Sequence, residues 1–470
     1  MLFNSFSFIF LVLATYLLYY TRPFKKYQVP ILIAASFTFY AFNSPTLLLL
    51  LIFSVATNAL TSWLISSYEN FQQRKLYALI GVVINLAVLI FFKYAGLFAG
   101  LLLPRDTSLF EFLNTIPLPI GISFFTFQGI SLVVDTYRSK SLTKFQNKLP
   151  FHISQHGLNV TLFISFFPQL VAGPIVKAQD FFPQIKEKYS NEIDWDKVIK
   201  CLILGYFLKC VVADNLNDYT FRIAYPHFEI KSTVTLIVLL YGFSMQIFAD
   251  FAGYSLIAIG VAGLFGYQLK QNFNFPYISS SYSEFWRRWH ISLSSFLKEY
   301  LYFSLGGNRK GKIRTYINLL VTMALGGLWH GAAWSFVVWG IFHGFLLAIE
   351  RFLQDIFKLK FRTLIKPFKV FLVFNSISVA WLLFILPEFN QALLYLKAIF
   401  TNTGLMPDYN IITYTIIYAI PVIIYHILYM IYEERVCVNI FRYSYVLYGL
   451  LLFLIITNSG TTQEFIYFQF

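Results

Sequence analysis

Two histidines stand where a bare imidazole could do chemistry. His330 lies in GGLWHGAAW, between glycines and tryptophans, within an apolar run from Tyr316 to Ile349. His290 closes FWRRWH, in a far more polar stretch. A neutral imidazole takes a proton from a hydroxyl near pH 7, and burial favours its neutral form. No serine or cysteine sits in a G-x-S-x-G setting, so a covalent intermediate has no evident nucleophile. Direct attack of a deprotonated hydroxyl on an activated acyl group is the simpler chemistry. Three scattered cysteines (Cys201, Cys210, Cys437) match no metal or disulfide spacing, so no metal is expected. A polar ring at membrane depth marks a functional site by default, although a structural histidine bonded to a carbonyl fits the same letters. The glycines beside His330 read as room for something to approach.

The activated group needs a handle, and the segment 269–314 offers one. Its eight basic residues outnumber two acids, Glu284 and Glu299. At helical spacing Trp286, Trp289, Leu293 and Tyr300 share one side of FWRRWHISLSSFLKEY, with Arg287, Arg288, Ser292 and Glu299 largely on the other. This describes an interfacial helix, or a surface whose guanidinium groups hold a phosphorylated cytosolic compound. Arg287, Arg288 and Lys298, with Asn308 and Arg309 after the pair Gly306–Gly307, are the donor-binding candidates. Glycines there either bring backbone amides to an anion or make an ordinary loop. Five of eight tryptophans and three of seven histidines fall between Trp286 and His343, so Trp286, Trp289 and Trp329 join the site as supporting residues.

Other polar groups sit at membrane depth. Gln246 and Asp250, in SMQIFADFAGYS, are candidate pore or supporting residues. Asp250 could accept a proton, partner a histidine, or form half of an ion pair; Lys209 lies in a similar setting. His343 would face about 220° away from His330 on a continuous helix, which makes it a packing or hydrogen-bonding residue. His426 carries no other signal, and His152, His156 and His227 lie at segment edges, where solvent or interface is expected. FFPQLVAGPIV (166–176) reads as a broken helix lining a cavity.

The elements that must position these residues follow from composition. With 58% hydrophobic and 12% charged residues, the chain is no ordinary soluble domain. About thirteen apolar segments lie between residues 2 and 457, many near the roughly 20 residues needed to cross a bilayer. The expected fold is an all-α polytopic membrane bundle of about 11–13 helical segments, some broken or re-entrant. It forms one multi-pass domain over residues 1–470, with its chemistry between about 117 and 352. Arg22, Lys25, Lys26, Arg74, Lys75, Arg138, Lys140, Lys144 and Lys148 follow alternate segments, which puts the amino terminus outside and 269–314 in the cytoplasm. No basic residue precedes the first apolar run, so it reads as a retained span. The net charge of +14 then reflects this bias and contact with anionic lipid, not nucleic acid.

GISFFTFQGISLVVDTYRSK, FFPQLVAGPIVKAQDFFPQI, DFAGYSLIAIGVAGLFGYQLKQNFNFPY, FWRRWHISLSSFLKEYLYFSLGGNR, GGLWHGAAWSFVVWGIFHG and the terminal FIYFQF together resemble the membrane-bound O-acyltransferase superfamily, in its bacterial alginate O-acetyltransferase branch. The resemblance implies helices around a central pore in the bacterial cytoplasmic membrane. It implies transfer of acetyl from cytosolic acetyl-CoA towards an extracytoplasmic polysaccharide, with a periplasmic or membrane-anchored acyltransferase as partner. The family's two histidines match His290 and His330; the deeper one takes the part of base. Ala252, Leu256 and Ser304 depart from the branch's usual residues and leave alginate, peptidoglycan or another glycan open as acceptor. The D-alanine-transferring proteins of teichoic acid modification, fed by a carrier protein, are a related alternative. A proton-coupled transporter with His330 as relay is a rival from another class.

Overall fold

The structure, a computed structural model, describes residues 1–42, 44–138, 152–171, 173–357, 366–386, 388–433, 444–463 and 465–466. Lys140, Lys144, Lys148, Cys437 and the terminal residues 467–470 lie outside these. Most of the described residues are helical, with no strand among them. Helices α1 (Phe6–Tyr20) and α2 (Gln28–Ala41) are each too short to span and meet at a bend of 103°. Pro23 opens the turn between them, where its missing N–H cannot continue α1. Among the described residues, six helices are long and apolar enough to cross a membrane: α3 (Pro45–Ser67), α4 (Phe71–Leu102), α8 (Thr233–Leu264), α12 (Trp334–Phe357), α13 (Lys366–Ile385) and α14 (Tyr409–Glu433). The protein is thus a polytopic all-α membrane protein. The shorter helices α5 (Ile122–Arg138), α6 (Ile153–Ser165) and α7 (Trp195–Tyr206) supply further apolar segments.

Two compact units are distinguished, residues 1–202 with 256–270 and residues 203–255 with 271–470. In the first, α3, α4 and α6 are joined by buried polar side chains. Asn58 and Asn85 exchange amide hydrogen bonds at 3.2 and 2.9 Å, and His156 Nε2 meets Ser62 Oγ at 2.8 Å. His156 is therefore interhelical and 1% exposed, not the solvated edge residue expected, because α6 packs directly on α3. The chain breaks after Ser165 as expected, but aromatic rings fill the break: Phe166 lies 5.5 Å from Phe181 and 5.0 Å from Tyr267.

The second unit holds every candidate site residue. Its polar segment carries α9 (Tyr282–Arg288) and α10 (Ile291–Phe296), and α11 (Lys312–His330) pairs with α12. The run around His330 is two helices that meet at Gly331, with α11 continuous through Gly326 and Gly327. Those glycines do not open a space. A Cβ on Gly327 would strike the Phe336 carbonyl, and one on Gly340 the Met323 carbonyl, so glycine lets α11 and α12 touch backbone to backbone.

Candidate active site

His330 is the last residue of α11 and is 4% exposed. Eighteen helical steps carry it about 27 Å from Lys312, nearly the depth of a bilayer core. Aromatic rings enclose it: Trp329 at 5.0 Å, Trp339 at 5.2 Å and Phe384 at 5.2 Å between centroids. Trp329 also lies 6.0 Å from His290, so one indole is bracketed by both imidazoles. The two histidines, forty residues apart in sequence, belong to one buried cluster.

His290 is not on the continuous amphipathic helix that the spacing predicts. The chain breaks at Trp289–His290, and His290 takes a left-handed conformation, φ 43°, that costs a non-glycine residue energy. The break turns both residues inward, leaving Trp289 1% and His290 0% exposed. Asn272 holds this conformation. Its backbone carbonyl accepts from Ile291 N–H at 2.9 Å, and its Oδ1 accepts from Ser292 N–H at 3.2 Å and Ser292 Oγ at 2.9 Å. Since a backbone N–H only donates, the amide orientation is settled. His290 Nδ1, 3.1 Å from the same Oδ1, is therefore the protonated nitrogen, and Nε2 bears the lone pair. Phe251 packs edge-on against the ring at 4.6 Å. Outside the six spans, burial lowers the His290 imidazole to about 3, which keeps it neutral and makes it a weak base.

His343 is a packing residue, as expected, but it lies near His330 because the helix breaks between them. Trp339 bridges the two rings, at 5.2 Å from His330 and 4.5 Å from His343. Trp286 adds an edge contact to His343 at 5.1 Å. Trp289 stacks on Phe285 and meets Trp381 at 4.9 Å. His426 is buried against Phe248, Phe275 and Tyr277, with Nδ1 2.9 Å from the Val422 carbonyl.

The donor-binding candidates divide. Arg287, Lys298, Asn308 and Arg309 are exposed, whereas Arg288 is occupied by Glu284 at 3.0 Å and the Asn274 carbonyl at 3.2 Å. The Gly306 and Gly307 amides donate to the carbonyls of Phe303 and Tyr302, at 3.1 and 2.9 Å. The glycine pair builds a turn, with φ of 105° and 58°, and its amides do not face an anion. Asp250 is half of an ion pair, the third alternative its sequence left open: Lys209 Nζ lies 2.8 Å from it and 2.6 Å from Asp214. Gln246 bonds to Thr220 and to Asn217. Neither belongs to the aromatic box around His330. Asn272, Phe251, Trp339, Trp381 and Phe384 were not singled out by sequence. Trp339 left a trace as one of the clustered tryptophans, and Asn272 as a polar residue among aromatics in QNFNFPY.

A buried histidine pair packed around one indole, beside an exposed basic segment in a polytopic membrane protein, suits an integral-membrane group-transfer enzyme. The sequence profile described as "MBOAT, membrane-bound O-acyltransferase family" matches residues 102–387. The peptidoglycan O-acetyltransferase of Helicobacter pylori is 35% identical, over 83% of this chain and 80% of that protein. The probable alginate O-acetylase AlgI of Azotobacter vinelandii is 36% identical, over 82% and 75%. The teichoic acid D-alanyltransferase of Bacillus subtilis is 30% identical, over 50% and 59%. The chain belongs to the membrane-bound O-acyltransferase family and is an O-acyltransferase.

Proposed function

We propose that the protein takes acetyl from cytosolic acetyl-CoA and passes it across the membrane for O-acetylation of an extracytoplasmic glycan, with His330 as general base. The observation that carries this reading is the burial of His330 and His290 around Trp329 at the end of α11. His330 takes the proton of the acceptor hydroxyl as its oxygen attacks the thioester carbonyl. The C–S bond then breaks, and the departing thiolate recovers that proton from the imidazolium. Positive charge arising on the His330 ring meets the negative end of the α11 dipole, which favours it by up to about 2 kcal/mol. Water exclusion by Trp329, Trp339 and Phe384 protects the thioester from hydrolysis. His290, neutral and fixed through Asn272, suits an accepting hydrogen bond at Nε2 better than proton abstraction.

Arg287, Lys298, Asn308 and Arg309 are the donor's phosphate contacts in this reading, with exposure and charge in their favour. The relatives' names favour peptidoglycan or alginate as acceptor. A membrane-anchored or periplasmic partner completing the transfer, residence in the bacterial cytoplasmic membrane and an outside amino terminus belong to the same proposal. The test uses purified protein in nanodiscs with acetyl-labelled CoA, offered alginate oligosaccharides or peptidoglycan strands, with and without a partner acyltransferase. Label in one glycan supports the reading and names the acceptor. Label only from a D-alanyl carrier protein would overturn the donor assignment.

A further inference from the structure

The carboxyl-terminal segment returns to the second unit's core at three points. Asn215 Nδ2 donates to the Asn458 carbonyl at 2.9 Å, Gly460 N–H to the Cys210 carbonyl at 2.9 Å, and Ile466 N–H to Asp250 Oδ2 at 2.8 Å. The last contact joins the buried ion cluster, in which Lys209, Asp214 and Asp250 are each 1% exposed. One ammonium cannot balance two carboxylates, and buried excess charge is costly unless donors face it. The Ile466 N–H is such a donor, and its bond to a carboxylate is charge-assisted. Gly253 makes the arrangement possible. A Cβ there would lie 2.9 Å from the Lys209 backbone nitrogen, so only glycine lets α8 come this close. A small cavity of about 60 Å³ beside the cluster is lined by Lys209, Asp214, Gln246 and the tail's own Gln463.

The seated tail has a consequence one residue along α8. Phe465 is completely buried and meets Tyr254 at 4.5 Å and Phe251 at 5.5 Å. Phe251 meets His290 edge-on at 4.6 Å. Phe465 thus backs the ring against which the imidazole rests, and Asp250 beside Phe251 receives the tail's N–H.

We infer that the described carboxyl-terminal residues, Asn458 to Gln463 with Phe465 and Ile466, are a positioning element for His290, latched by Lys209 through Asp250. Phe465 and Lys209 act through Phe251 and touch no reactant. The inference rests on His290 belonging to the reactive pair. It adds to that reading a second support for the ring, besides Asn272.

The test compares full-length Phe465→Ala, Phe465→Leu and Lys209→Met in nanodiscs. It measures turnover, KM for acetyl-CoA, and the rate at which diethylpyrocarbonate modifies His290, resolved by peptide mass. Phe465→Ala is expected to lower kcat about tenfold with KM within about twofold, as a loosened reactive group should. Modification of His290 rises in the same variant, and Phe465→Leu recovers most of both. Lys209→Met, where it folds, behaves like Phe465→Ala. If His290 reacts at the wild-type rate in folded Phe465→Ala, the positioning role is overturned. A rise in KM alone overturns it too, by making the tail a substrate contact. If the wild type consumes no acetyl-CoA, the donor assignment fails while the modification rates still decide the positioning.

Discussion

Asn272→Ala is the perturbation with the best-defined consequence. The side chain is 1% exposed, and one oxygen serves Ser292 N–H, Ser292 Oγ and His290 Nδ1–H. Truncation removes the acceptor that the Ser292 N–H and the imidazole N–H share in a buried site. Each unsatisfied donor costs about 1–3 kcal/mol, so the loss is roughly 2–6 kcal/mol before relaxation or an entering water reduces it. The left-handed turn at His290 loses its clamp at the same time, since Asn272 holds both sides of it. With Nδ1 released, the proton can move to Nε2 and remove the lone pair from the reacting side. Loss of an orienting partner of this kind typically costs about 10–100-fold. Asn272→Asp keeps the acceptor and the tautomer, so it retains more activity than the alanine variant. Thioester consumption, acetyl-CoA binding and thermal unfolding in one detergent check the three effects. An alanine variant that stays folded, unfolds at the wild-type temperature and turns over within about twofold of wild type refutes the clamp.

Other expectations follow from the same geometry. Gly340→Ala should destabilise by about 1–3 kcal/mol or more through collision with the Met323 carbonyl, while Gly449→Ala, inside a helix and with no atom within 4 Å of its added carbon, should leave the unfolding temperature unchanged or slightly raised. His290 titrates at about 3 when folded and near 6.5 when unfolded, so its contribution is complete above pH 6.5 and is lost as pH falls towards 3. Between those limits wild type should lose about 1.4 kcal/mol per pH unit more than His290→Gln, measured as the difference in unfolding free energy or midpoint. Replacing Arg287, Lys298 and Arg309 together by alanine should raise KM for acetyl-CoA with little change in kcat, and the effect should fade at high salt. Arg288→Ala should instead lower stability, because its guanidinium bonds to Glu284 and the Asn274 carbonyl, and the unfolding midpoint separates the two outcomes.

Much of this was legible in the letters, and the misses have physical causes. Apolar length and sparse charge mark a membrane helix strongly, so the polytopic class and spans such as α8 and α14 follow from sequence. The break at FFPQ was readable because proline ends helices for a local reason. The break at His290 was not. WRRWHIS has good helical spacing, and the turn is imposed by Asn272, eighteen residues earlier, through contacts no window contains. The glycines beside His330 read as room for something to approach, whereas they bring α11 and α12 into backbone contact, which no local window contains. Asp250 reads as a polar group at depth; its partner Lys209 lies forty-one residues away, and only folding chooses among the three roles. Arg288 looked as available as Arg287 until Glu284, four residues before it, took it up.

The most direct measurement compares wild type, His330→Gln and His290→Gln for acetyl-CoA binding and single-turnover loss of the thioester in nanodiscs. His330 as the base requires His330→Gln to bind donor normally and consume none, with His290→Gln slowed but active. Turnover by His330→Gln within about tenfold of wild type, while His290→Gln is inert, would contradict that and move the base to His290.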